Sequence, residues 1–141
     1  MTLQRFVTAQ DGVFETAMAE LANGRKRSHW MWFIFPQLRG LGRSAMAEYF
    51  GIVDLTEARE YLLHPVLGFR LERATAAVLE HEDRPLRAIF GTPDDLKFHS
   101  SMTLFALASG ERGIFAEALR VFYDGREDAV TVRLLGAADT R

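Results

Sequence analysis

Four aromatic side chains stand within six residues, in the run Trp30-Met31-Trp32-Phe33-Ile34-Phe35, and they include both tryptophans of the chain. Such a run has to find apolar cover wherever the chain goes, because each large ring loses a great deal by staying in water. Pro36 follows at once and stops any helix that the run begins. Upstream lies Gly24-Arg25-Lys26-Arg27-Ser28-His29. This order predicts a short helix with Ser28 as N-cap and a body from His29 to Phe35. Strand alternation is the rival reading, and it has no convincing partner strand in the rest of the chain.

The same stretch is unusual in charge. No acidic residue occurs between Glu20 and Glu48, whereas Arg25, Lys26, Arg27, Arg39 and Arg43 all fall in that interval. The chain holds 17 basic and 19 acidic residues, so with these five set aside the remainder is strongly negative. The segregation points to an anionic partner or ligand. If Ser28 caps a helix, the free amides of residues 28 to 30 and the positive helix end join the three basic residues upstream as a seat for phosphate or carboxylate. The loop from Gln37 to Arg43, with Gly40 and Gly42, can fold back over that seat.

A chain of 141 residues suits one domain, 1–141, and a charged fraction of 26% against 48% hydrophobic is that of a globular protein. The longest apolar run is far shorter than the roughly 18 to 20 residues of a membrane span, so no membrane association is expected. The first residues lack the basic-then-apolar order of a signal peptide, and there is no cysteine, which together suggest the cytoplasm. Absence of cysteine also removes thiol nucleophiles, disulfides and Cys-based zinc sites. The four histidines show no i, i+4 spacing with carboxylates, so neither a metal nor a cofactor is expected.

Elsewhere the punctuation is helical. Leu3, Phe6 and Val7 share a face; Asp11-Gly12 breaks before a second helix through Leu21, closed by Asn23-Gly24. A short helix is expected over Ser44 to Phe50. Asp54-x-x-Glu57 has capping-box spacing and starts a helix that stops at His64-Pro65, where His64 acts as a cap; the next runs from Pro65 to about Glu82. Arg84 to Phe90 forms one more short helix ended by Gly91. Thr92-Pro93-Asp94-Asp95 combines a hydroxyl cap, Pro at the first position and two early carboxylates, and it opens the most thoroughly apolar helix, about Pro93 to Ser109. Helices over Ile114 to Tyr123 and Glu127 to Leu135 follow, before a frayed tail from Gly136. The fold class is therefore all-α, a single multihelical globular domain with a buried central helix.

Three segments carry a resemblance. Gly24-Arg25-Lys26-x-Ser28-His29-Trp30-Met31-Trp32-Phe33-Ile34-Phe35-Pro36-Gln37-Leu38 looks like the signature of a family of bacterial and fungal proteins known only as a domain of unknown function. Tyr61-Leu-x-His64-Pro65-x-Leu67-Gly68-x-Arg70-Leu71 and Lys97-Phe98-His99-Ser100-Ser101-Met102-Thr103-Leu104-Phe105 resemble it too. Some members are labelled "calpastatin", which we read as a label without functional content. The resemblance implies an all-α fold and supplies no activity.

The leading functional reading is a site for a small anionic ligand of phosphate or nucleotide type, where the start of the Ser28 helix meets the polar mouth of the Pro93 helix. Arg25, Lys26 and Ser28 would hold the anion, Trp30 or Trp32 would stack, and Gln37, Arg43, Lys97 and Ser100 would complete the wall. His29 and His99 are the candidate acids or bases. Ser100 and His99 are adjacent on one helix and do not face each other, so no nucleophile and base pair is read from them. The alternative is a non-catalytic interaction module that presents Arg25 to Arg27 to an acidic partner protein. The acidic overall balance argues against broad nucleic-acid binding.

Overall fold

The computed structural model describes residues 2–110 and 113–139, the last three of these by backbone alone. Ten helices carry the described chain: α1 Gln4–Gln10, α2 Phe14–Ala22, α3 Met31–Ile34, α4 Ala45–Phe50, α5 Leu55–Leu63, α6 Leu67–Leu79, α7 Leu86–Phe90, α8 Asp94–Ser109, α9 Ile114–Tyr123 and α10 Ala129–Asp139. The all-α expectation holds, with α8 central: it packs against α5, α7, α9 and α10 and is buried from Ser100 to Ala106 on every side. A helix without a polar face is stable only when surrounded, and this one is.

Local chemistry explains most boundaries. Gly24 takes φ +72° after α2, a conformation that a side chain resists. The Ser44 hydroxyl accepts the Ala47 amide at 3.1 Å, and the Asp54 carboxylate accepts the Glu57 amide at 2.8 Å. Nδ1 of His64 accepts the amides of Val66 and Leu67, both at 3.2 Å, as the cap between α5 and α6. That corner is tight: a Cβ on Gly68 would stand 2.1 Å from the carbonyl oxygen of Leu62.

Several boundaries differ from expectation, α6 among them, which runs from Leu67 to Leu79 rather than from Pro65 to about Glu82. The aromatic helix is a single turn, Met31 to Ile34, with Trp30 rather than Ser28 at its start and no side-chain cap. The physical reason is an acceptor elsewhere, described below. Thr92 does not cap α8; the Asp95 amide bonds the Gly91 carbonyl and the Leu96 amide bonds the Asp95 carboxylate, so the first turn is already satisfied. Helix α10 runs to Asp139, past the expected end at Leu135, while Thr140 and Arg141 lie outside the described residues.

The core is aromatic. Phe35 meets Phe90 and Phe98 edge-on at 5.8 and 5.1 Å, and Tyr61 links Phe6 at 5.1 Å to Phe105 at 5.3 Å. Two of the buried polar side chains tie distant segments together. Arg5 donates to the carbonyls of Thr2, Tyr49 and Gly51 and pairs with Glu57 at 3.3 Å; Gln10 donates to the Phe33 carbonyl at 2.8 Å. They lock the aromatic turn α3 and the α4–α5 link onto α1. The loop after Pro36 is pinned by one parallel bridge between Leu38 and Ile52, in which the Ile52 amide bonds the Gln37 carbonyl at 3.0 Å. Gln37 is thereby held in front of α8.

Candidate functional site

The basic stretch is organised around an acid. Glu20, on the last turns of α2, reaches across Gly24 and takes the amides of Arg27 and Ser28 on Oε1 at 2.7 and 2.9 Å, together with the Trp30 indole N–H at 2.9 Å; the Ser28 hydroxyl bonds Oε2 at 2.5 Å. The seat expected for a phosphate or carboxylate is filled by the chain's own carboxylate. Ser28 is thus not an N-cap with outward amides, and Trp30, fully buried, is not a stacking platform. Partial burial pushes the Glu20 carboxyl up, but the Ser28 hydroxyl, the two amides and the indole outweigh it and hold the group down at about 2.

The triplet itself divides. Lys26 turns inward: its amide bonds the Ile89 carbonyl at 2.7 Å, its side chain is 8% exposed, and its ammonium lies 2.9 Å from Asp94 Oδ2 and 5.1 Å from the Trp30 ring. Arg25 and Arg27 are exposed, as are His29 and Arg43, and the side chains of these four have no polar partner among the described residues. Lys26, His29 and His99 therefore do not converge on one cavity.

A different group does converge. Gln37, Leu41 and Gly42 from the loop, Pro93, Leu96, Lys97, His99 and Ser100 from the start of α8, and Asp128 and Val130 at the start of α10 line a pocket of about 470 Å³. Lys97 reaches Asp94 Oδ1 at 3.5 Å and sits 5.1 Å from the ring of half-buried Trp32; Trp32, Gln37 and Lys97 also line a narrow neighbouring crevice. Asp94 thus stands between two ammonium groups. His99 stacks on Tyr123 at 3.8 Å with planes 11° apart, and its Nε2 lies 2.8 Å from the Arg126 carbonyl. A carbonyl only accepts, so Nε2 carries a proton there and Nδ1 of the neutral ring is an acceptor. Burial, and then the charges of Asp95 and Asp128, push the Tyr123 phenol up, which keeps it neutral beneath the imidazole.

Asp128 was absent from the sequence-derived candidates. Its Oδ2 takes the Thr131 amide at 3.1 Å, the Thr131 hydroxyl at 2.7 Å and the Ser100 hydroxyl at 3.4 Å, while the Asp128 amide bonds Thr103 Oγ1 at 2.8 Å. Ser100 shares its proton with the Leu96 carbonyl at 3.3 Å. The Asp-x-x-Thr spacing was the available signal, since it is that of a helix N-cap, but its closeness to Ser100 is a tertiary fact. Among the described residues no three His, Asp or Glu side chains gather as a metal site, and no helix is long and apolar enough to cross a membrane.

No curated protein matches the chain in sequence. It is similar to a solved structure, the crystal structure of the conserved hypothetical protein Rv1873 from Mycobacterium tuberculosis: 51% identity over 95% of this chain and 96% of that one, with a TM-score of 0.92. The family described as "Protein of unknown function (DUF1810)" matches residues 1–135. By that match the chain belongs to the DUF1810 family of proteins of unknown function.

Proposed function

We propose that the chain binds a small organic anion in the pocket between the 37–43 loop and α8, with Lys97 as the anion-binding residue. One observation carries the reading: Gln37, Lys97, His99 and Ser100, drawn from two distant segments, line a single pocket of about 470 Å³. That volume lies in the range of small-molecule sites, roughly 300 to 1,000 Å³, and its apolar residues Leu41, Pro93, Leu96 and Val130 offer cover for an organic body. Lys97 has three donors, and Asp94 at 3.5 Å holds it loosely because Lys26 has the shorter contact. The phosphate- or nucleotide-type ligand expected from the basic triplet keeps its anionic group in this reading but loses the triplet as its cradle. Thermal stabilisation by carboxylates and phosphates, measured against chloride at matched ionic strength, should be present in the wild type and lost in Lys97→Ala. Equal responses of the two proteins to every anion would end the reading.

The interaction-module alternative has its own observation: Arg25 and Arg27 project from the loop without partners among the described residues, so two guanidinium groups are available to an acidic surface. An acidic protein captured by the wild type and equally by the variant with both arginines changed to Ala would remove that support.

A further inference from the structure

The wall of the α8 pocket is balanced in charge, and the balance selects among anions. Lys97 supplies the positive charge of the lining on one side; Asp94 behind it is shared with Lys26, so these two lysines and one carboxylate carry a net positive charge. Asp128 supplies one negative charge on the other, one helical turn along α8, where Ser100 touches it. All three hydrogen bonds that Asp128 accepts fall on Oδ2; Oδ1 has none from the described residues. Two further residues with an acceptor, His99 through Nδ1 and Gln37 through its amide oxygen, line the same pocket.

We propose that the pocket selects a zwitterion, a small aliphatic amino acid whose carboxylate meets Lys97 and whose ammonium meets the free oxygen of Asp128. The proposal rests on the anion-site reading above and adds the second charge. A ligand that closes the pocket takes Asp128 out of water, and a carboxylate oxygen so desolvated needs a donor, best a charged one. An ammonium presents three N–H groups and can serve Asp128, His99 and Gln37 together, whereas a hydroxyl has one proton to give. A phosphate dianion would overcompensate Lys97 and stand against both Asp128 and Asp94. The side chain of the ligand would lie on Leu41, Leu96 and Val130.

A deletion series on one carbon skeleton tests this by calorimetry or ligand-observed NMR: L-leucine, its amine-free acid 4-methylpentanoate, its 2-hydroxy acid, and 3-methylbutylamine. Loss of the amine should weaken binding roughly ten- to hundredfold, the worth of one charged hydrogen bond. The hydroxy acid should fall between, and the bare amine should not bind. In Asp128→Asn, which keeps an acceptor for the Thr131 amide, L-leucine should weaken to the level of 4-methylpentanoate. If the three acids bind the wild type equally, the zwitterion proposal is overturned while the anion site stands. If none of the acids binds and phosphates do, it is overturned in favour of the phosphate-type ligand; if no anion binds, both readings fail.

Discussion

Two regions of this molecule gather positive charge and polar hydrogens, and they differ in what is left over. Around Gly24 to Trp30 the side-chain donors that turn inward have acceptors within the chain: Glu20 takes the Ser28 hydroxyl and the Trp30 indole together with two amides, and Asp94 takes Lys26. At the mouth of α8 the partners are incomplete, because Lys97 is held at 3.5 Å and one oxygen of Asp128 has no partner among the described residues. A satisfied cluster is a fastening, since a ligand entering it would have to replace bonds already made. An incomplete one, open to solvent and flanked by apolar side chains, gains by ligation. Density of charge in a sequence is therefore a weaker guide to a site than the donors and acceptors that the fold leaves over.

The comparison breaks first at the rings. Trp30→Ala removes a fully buried side chain and leaves Glu20 short of one donor, so chemical denaturation should show a loss of roughly 3 to 5 kcal/mol. Trp32, half-buried against Lys97, should cost clearly less when truncated, and equal losses would mean that the two indoles share one role.

The fastening itself is the next target. Glu20→Ala leaves the Arg27 and Ser28 amides and the Trp30 indole without their acceptor, for an expected loss of about 2 to 3 kcal/mol; Glu20→Gln, which keeps one oxygen, should lose less. The pH dependence has a definite sign. The folded Glu20 carboxyl titrates at about 2, below its ordinary 4.5, so its contribution is complete above pH 4.5 and disappears as pH falls toward 2. The wild type should lose stability across that window by more than Glu20→Gln does. Parallel stability curves for the two proteins would show that the carboxylate form does not matter.

These residues also show what could be read without coordinates. Helix periodicity and end signals are local, and they placed the helices around Ser44, Asp54 and His64 because each cap lies within a few residues of the amides it serves. The central burial of α8 was equally legible, for a helix apolar on all sides has few other places to go. The site was half legible. Gln37, Lys97, His99 and Ser100 do meet at one pocket, but Asp128 arrives from 28 residues beyond Ser100, and no spacing rule brings it there. Glu20 is the sharper lesson. It marked the edge of the acid-free stretch in sequence, yet in space it is the centre of that stretch, since the Gly24 turn folds α2 back against the loop. With Glu20 on its amides, Ser28 had no helix to cap and the aromatic run kept only one turn.

Lys26 and its neighbours separate the two regions most finely. Sequence alone makes Lys26 one of three loop cations, a residue whose removal costs nothing. In the fold its side chain is largely buried and its ammonium pairs with Asp94, so Lys26→Ala should cost roughly 1 to 2 kcal/mol, less than the loss of a fully buried pair because Lys97 remains near the same carboxylate.

Arg25→Ala and Arg27→Ala complete the series at its small end. Both guanidinium groups are exposed, and the backbone bonds of these residues, the Arg25 amide to the Glu20 carbonyl and the Arg27 amide to the Glu20 carboxylate, survive truncation of the side chain. Exposed substitutions away from caps and buried contacts fall within about 0.5 kcal/mol, and each of these two should do the same in a denaturant titration. They should also leave anion stabilisation at the α8 pocket unchanged, since neither residue lines it. A loss of anion response in either variant would move the ligand from Lys97 to the basic loop, and the fastened region would then have to be read as the site.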